Sequence, residues 1–137
     1  MAQLLRVDAS MRHADSHSRA LADKLVDKIN KKQSLSVVRR DLAEGVPVVD
    51  EAWIAANFTP AEERNADHQA ALAASDALVD ELRASDVIVI ALPIYNFGVP
   101  AAFKAWIDMV TRAKETFEYT ATGPQGLLTN KTAYVII

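Results

Sequence analysis

Apolar residues occur along the chain as short continuous runs separated by longer stretches in which they recur every three or four positions, a pattern of strands alternating with helices. Leu4 to Asp8 (LLRVD) is apolar and runs into the polar stretch Ala9 to Ser18, as a buried strand feeding a loop does. From Ser18 the positions Leu21, Leu25, Val26 and Ile29 share a helical face while Lys24, Lys28, Lys31 and Lys32 lie elsewhere, and the basic end suits the helix dipole. Leu35 to Leu42 (LSVVRRDL) places a β-branched pair beside charges and predicts a second strand with one end exposed.

Residues 43–58 carry Gly45, Pro47, Trp53 and Phe58 without a clear period, which predicts an irregular excursion with a helical turn around Trp53. Thr59 as N-cap, Pro60 at the first helical position and Glu62 beyond it form a capping-box signal. It is expected to open a long helix carried by Leu72, Leu78, Val79 and Leu82 to about Arg83. Val87 to Leu92 (VIVIAL) reads as a third strand buried on both faces. A loop from Pro93 to Pro100 follows, and Pro100 can open a helix whose Phe103, Trp106, Ile107 and Val110 share a face. The segment from Arg112 through Gly126 is turn-rich and aromatic, and Thr132 to Ile137 (TAYVII) begins a fourth strand. Strands alternating with helices imply right-handed crossovers and a parallel sheet covered on both faces, a doubly wound α/β fold in one domain over residues 1–137. A fourth strand with neither crossover helix nor partner leaves a hydrophobic edge, so the domain is expected to be C-terminally incomplete.

Composition narrows the functional classes. Half of the 137 residues are apolar and 24% are charged, as in globular chains. The 15 Lys plus Arg against 18 Asp plus Glu give a net charge of −3 with only short basic clusters, so no nucleic-acid partner is expected. The longest apolar run, Val87 to Ile94, is interrupted by Pro93 and too short to span a bilayer, and the first residues lack a basic leader. No membrane partner is expected, and a cytoplasmic location is the default. Without cysteine, disulfide scaffolds, Cys-based zinc sites and thiol nucleophiles are excluded.

In an open doubly wound sheet of order 2-1-3-4-5, ligands sit beyond the carboxyl ends of strands 1 and 3, where strand order reverses. No glycine precedes Gly45, which rules out a G-x-G-x-x-G fingerprint or a Walker A loop after the first strand. That loop offers instead Ser10, Ser16 and Ser18 at the start of a helix, with Arg12 or Arg19 able to add charge, a pattern suited to a phosphate or simply to helix capping. The third strand delivers Pro93, Ile94, Tyr95, Asn96 and Phe97, whose backbone groups and aromatic faces suit a flat heteroaromatic ring, although such aromatics also pack structurally. A flat cofactor carrying a phosphate satisfies both loops. Asp8 lacks the companion acid and phosphoacceptor of a receiver-type Mg²⁺ site, and His13 with His17 lacks a third ligand, so no metal site is expected. His68, Asp76 and Asp80 read as solvent-facing.

The chain resembles the FMN-dependent NADH-azoreductases, members of the flavodoxin-like quinone reductases. Ser10 with Ser16-His17-Ser18 resembles the family's phosphate-binding serines. Pro93-Ile94-Tyr95-Asn96-Phe97 resembles its flavin-ring loop, followed by Val99-Pro100 and Phe103-Lys104-Ala105-Trp106-Ile107-Asp108. The stretches Arg112 to Thr120 and Gly123 to Leu127 are similar too. Lys114 stands where the family usually has Gly, and Asn130 where Gly commonly precedes the Lys. A third, Ser-Arg-Gly-Gly-like flavin loop would begin after Ile137, so the last strand and helix of the flavodoxin-like sheet are expected to be missing from this chain.

The resemblance implies a homodimeric flavoenzyme in which NADH or NADPH reduces FMN by hydride transfer and the reduced flavin reduces a quinone or azo compound in a ping-pong cycle. Ser10, Ser16, His17 and Ser18 would hold the phosphate and Pro93 to Phe97 the ring. Trp53, Phe58, Phe117 and Tyr119 would shape a substrate pocket at a dimer interface, or pack. No catalytic acid or base is assigned. A flavodoxin-like carrier that exchanges single electrons without oxidising NADH is the alternative, followed by a cofactor-free interaction domain.

Overall fold

The computed structural model describes residues 2–137. Strands β1 (Gln3–Asp8), β2 (Ser36–Asp41), β3 (Val87–Ala91) and β6 (Thr132–Ile136) form one sheet of order β2-β1-β3-β6, and every pairing is parallel. Two further strands, β4 (Phe117–Thr120) and β5 (Gly123–Gly126), form a separate antiparallel hairpin. The four sheet strands correspond to the four read from the sequence, in the expected 2-1-3-4 order.

Period-two alternation along the central strands splits the core in two. Leu4, Val87, Val89 and Ala91 pack against Ala22, Val26 and Ile29 of α1 (His17–Lys32). Leu5, Val7 and Ile88 point the other way, toward Leu72, Leu78 and Val79 of α3 (Ala66–Ala84) and Trp106, Met109 and Val110 of α4 (Ala101–Val110). Arg6 and Asp8 share the α1 side with Leu4 by the same alternation and are buried there.

Three expectations are corrected. Thr59 does not open the long helix; it closes α2 (Glu51–Phe58), its Oγ1 donating backward to the Ala55 carbonyl at 2.8 Å. A short 3₁₀ turn, Ala61–Glu63, intervenes, and α3 starts after Asn65, whose Oδ1 accepts from the His68 amide at 2.9 Å while His68 Nδ1 accepts from the Asn65 amide at 3.2 Å. His68 thus works as a capping residue, in a role the capping-box pattern reserves for Glu or Gln. Residues 43–58 hold a full helix rather than one turn, begun by Asp50 accepting from the Trp53 amide at 2.8 Å. Its Ala52-Trp53-Ile54-Ala55-Ala56 run is apolar all round and shows no stripe to read. The third correction is Asp76, which is not merely solvated: it pairs at 2.8 Å with Arg112, a side chain only 1% exposed that also donates to Ser75 Oγ.

The turn-rich segment after Arg112 resolves into the β4–β5 hairpin, with Tyr119 opposite Pro124 and the Thr120 hydroxyl donating to the Gly123 carbonyl at 2.6 Å. Gly and Pro disfavour strands, which hides β5 from a propensity reading. Lys114 and Asn130, the two positions where the resemblance has glycine, both adopt left-handed backbone, with φ of 69° and 60°. Among the described residues no helix is long and apolar enough to cross a membrane.

Candidate cofactor-binding site

Strands β1 and β3 lie side by side with Asp8 opposite Ala91, and the Ala9 amide extends the pairing to the Ala91 carbonyl at 3.0 Å. Strand order reverses between them, so their carboxyl ends open the crevice in which doubly wound sheets bind ligands.

The loop after β1 ends in the N-terminus of α1. Ser16 is the N-cap, accepting from the Arg19 amide at 3.3 Å and lying 3.3 Å from the Ser18 hydroxyl. The first helical bond runs from the Ala20 amide to the Ser16 carbonyl, so the amides of His17 and Ser18 precede the helical ladder and lie at its positive end. Ser10 is buried, and its hydroxyl accepts from the Arg12 amide at 3.1 Å. Ser16 is the capping residue, and its cap bond to the Arg19 amide leaves the His17 and Ser18 amides unpaired in the ladder.

The loop after β3 takes its shape from the backbone. Tyr95 and Gly98 exchange amide-to-carbonyl bonds at 2.9 and 3.0 Å, and Asn96 and Phe97 between them both have positive φ, 51° and 66°. This is the two-residue primed turn, here without glycine at either central position. Left-handed backbone is unusual for Phe and stores strain of order 1 kcal/mol. The Phe97 side chain is fully exposed and Ile94 is 64% exposed. The two loops are joined where the Met11 amide donates to the Tyr95 hydroxyl at 3.0 Å.

Between them lies a cleft of about 250 Å³. Ser10, Arg12, Asp15, Ser16, His17 and Ser18 form one wall. Leu21 of α1 extends that wall, and Leu92, Pro93, Tyr95, Ile136 and Ile137 line the rest. Of the residues expected from sequence, Ser10, Ser16, His17, Ser18, Pro93 and Tyr95 meet there, while Ile94, Asn96 and Phe97 stand outside its lining as the exposed rim. The sequence reading missed Leu21, one turn beyond His17, and Ile136, at the carboxyl end of the strand beside β3; helical spacing and the strand-end rule would have supplied both.

Arg19 departs from expectation. It does not reach into the cleft to add charge: its guanidinium forks onto the Asp41 carboxylate at 3.0 and 2.8 Å and donates to the Ser10 carbonyl at 2.6 Å. Hydrogen bonding to Asp41 raises the Arg19 pKa above its ordinary value despite burial, and the same bond holds the Asp41 carboxyl below the usual range. Beneath it, the fully buried Asp8 carboxylate pairs with Arg6 at 3.0 Å and Arg39 at 2.7 Å, with Arg19 at 3.8 Å. Burial opposes the charge on Arg6, but its bonds to Asp23 and Asp8 more than offset that and its pKa is raised. The Asp8 carboxylate is thus ringed by the buried Arg6 and Arg19 and the half-exposed Arg39.

Trp53, Phe58, Phe117 and Tyr119 line a different groove, of about 420 Å³. Trp53 is buried in the core, Phe58 is 81% exposed, and Phe117 and Tyr119 meet edge to face with centroids 5.2 Å apart. None of the four lines the two-loop cleft.

The topology and the cleft at the strand reversal define a doubly wound ligand-binding domain. The family described as having a flavodoxin-like fold matches residues 2–137, and the chain belongs to it. A relative from Colwellia psychrerythraea, FMN-dependent NADH:quinone oxidoreductase 1, is 57% identical over 134 residues, covering 98% of this chain and 70% of the relative. The protein of the same name from Jannaschia sp. is 52% identical, covering 100% of this chain and 70% of its own length. Among solved structures, an azoreductase from Bacillus anthracis is 27% identical with a TM-score of 0.88, covering 98% of this chain and 67% of that one.

Proposed function

We propose that the protein is an oxidoreductase that binds FMN in the two-loop cleft, takes electrons from NADH and reduces quinones and azo compounds. The observation that carries this reading is the convergence, at the strand reversal, of the Ser10, Ser16 and Ser18 hydroxyls with an aromatic turn whose Tyr95 hydroxyl accepts from the Met11 amide of the serine loop. The relatives at 57% and 52% identity are named for FMN, NADH and quinone, and the Bacillus anthracis structure for azo reduction.

The residues fit the group. Ser10, Ser16 and Ser18 with the His17 and Ser18 amides offer donors to a phosphate at a helix N-terminus, and Arg12 on the same wall brings a cation. The rim from Ile94 to Phe97 leaves the Asn96 and Phe97 amides outside the turn's bonded pair, available to the polar edge of a flat ring, with Pro93 and Tyr95 beneath. Bound there, FMN would supply two-electron chemistry between NADH and the acceptor. The protein's own part is to hold the phosphate, orient the ring and leave one rim open to both substrates.

This reading includes ping-pong kinetics, a homodimer that uses the exposed aromatic groove of Phe58 and Tyr119, and a cytoplasmic location. Visible absorption of the FMN-mixed protein, recorded without air before and after NADH, tests the function. Flavin bands that bleach support it, bands that persist favour a one-electron carrier, and no bound flavin contradicts it. Hydrogen bonds to a charged group contribute about 1.5–3 kcal/mol each, so Ser16→Ala with Ser18→Ala is expected to weaken FMN binding about a hundredfold or more. Unchanged affinity in a fluorescence titration would refute the phosphate assignment.

A further inference from the structure

We propose that Arg19 is a positioning residue: from behind the cleft it fixes the shape in which the 10–18 loop receives a phosphate, and it is not itself a phosphate ligand. The proposal rests on the reading that this loop takes the FMN phosphate. Arg19 holds three points at once. Its guanidinium grips the Ser10 carbonyl at 2.6 Å, forks onto Asp41 at the end of β2, and its amide donates to the Ser16 hydroxyl at 3.3 Å. Ser10 and Ser16 are the two ends of a loop whose intervening residues are all exposed, with Asp15 in left-handed backbone at φ 58°. Such a loop samples many shapes unless its ends are fixed, and fixing them beforehand lowers the entropy lost on binding.

The anchor is rigid. Asp41 also accepts from the Ala43 amide at 3.0 Å, and Asp8, 3.8 Å from the Arg19 guanidinium, is clamped by Arg6 and Arg39. Arg19 is 6% exposed and lines a separate polar pocket with His13, Arg39, Asp41 and Glu44, none of which lines the cleft. Its charge is already matched by Asp41. Shape, rather than attraction, is what it can give a phosphate.

The two roles differ in sign for one substitution. If Arg19 acted by charge, Asp41→Asn would release that charge and tighten FMN. If it acts by shape, Asp41→Asn loosens the anchor and weakens FMN. The experiment measures the affinities of FMN and riboflavin for wild type, Arg19→Lys and Asp41→Asn by fluorescence titration. Lysine keeps the charge but cannot make the fork. Expected are losses of about tenfold for FMN in both variants and changes within about twofold for riboflavin, which has no phosphate to place. Full FMN affinity in Arg19→Lys, tighter FMN in Asp41→Asn, or equal losses of both flavins would overturn the proposal. Asp41→Asn is nearly isosteric and keeps the test open should Arg19→Lys fold poorly. A wild type that binds both flavins equally contradicts the phosphate site itself and removes the proposal with it, whereas a wild type that prefers FMN with unaltered variants overturns only the role of Arg19.

Discussion

The two loops that meet at the cleft hold their shapes by opposite means. The loop after β1 is set by side chains, with Ser10, Ser16, Arg19 and Asp41 tied together above the buried Asp8 cluster. The loop after β3 is set by its own backbone, a two-residue turn strained at Asn96 and Phe97 and exposed at its tip. A side-chain network of this kind would fix the hydroxyls that receive a phosphate; a bare backbone turn would present amides at close range to a flat ring. Each loop is built for the kind of group it would meet.

This contrast makes substitutions in the two regions fail differently. The largest effect is expected beneath the first loop, where Asp8→Asn leaves Arg6 and Arg39 without their shared carboxylate; loss of one partner of a buried ion pair costs about 3–5 kcal/mol, measurable by urea denaturation. In the second loop the backbone is the vulnerable part. Asn96→Val puts a β-branched residue into left-handed backbone and is expected to cost about 1–2 kcal/mol, whereas Asn96→Gly leaves stability within a few tenths. Outside both loops, Lys114→Gly removes the same kind of strain at φ 69° and is expected to raise stability by about 1 kcal/mol or less, read as a higher urea midpoint.

The smallest effect is a pH dependence. Asp41 has its folded pKa lowered chiefly by Arg19, so the stability it contributes is fully present above the ordinary carboxylate range and is lost as pH falls through the lowered value. The stability gap between wild type and Asp41→Asn should therefore narrow from about pH 5 toward about pH 2. A gap that widens over that range would contradict the pairing.

The sheet was legible because Leu4–Asp8 and Val87–Leu92 are apolar runs with few alternatives, and alternation with helices then dictates parallel order. The serines and the Pro93–Phe97 loop were legible as residues at the carboxyl ends of β1 and β3, and of them Ser10, Ser16, His17, Ser18, Pro93 and Tyr95 meet in the cleft. What stayed hidden was long-range or left-handed. Asp76 meets Arg112 36 positions away, and Arg19 reaches Asp41 across 22, distances at which no local pattern constrains a pair. The α2 helix lacks a stripe, and β5 is made of Gly-Pro-Gln-Gly. Asn96 and Phe97 form a primed turn without its usual glycine, so only the fold reveals the shape of that loop.

Backbone amide chemical shifts recorded while the protein is titrated with FMN test most directly whether the two loops form one site. Shifts are expected to concentrate at residues 10–18 and 93–98 together and to saturate with one affinity. Shifts confined to one loop, or centred on the groove of Trp53 and Phe117, would contradict it.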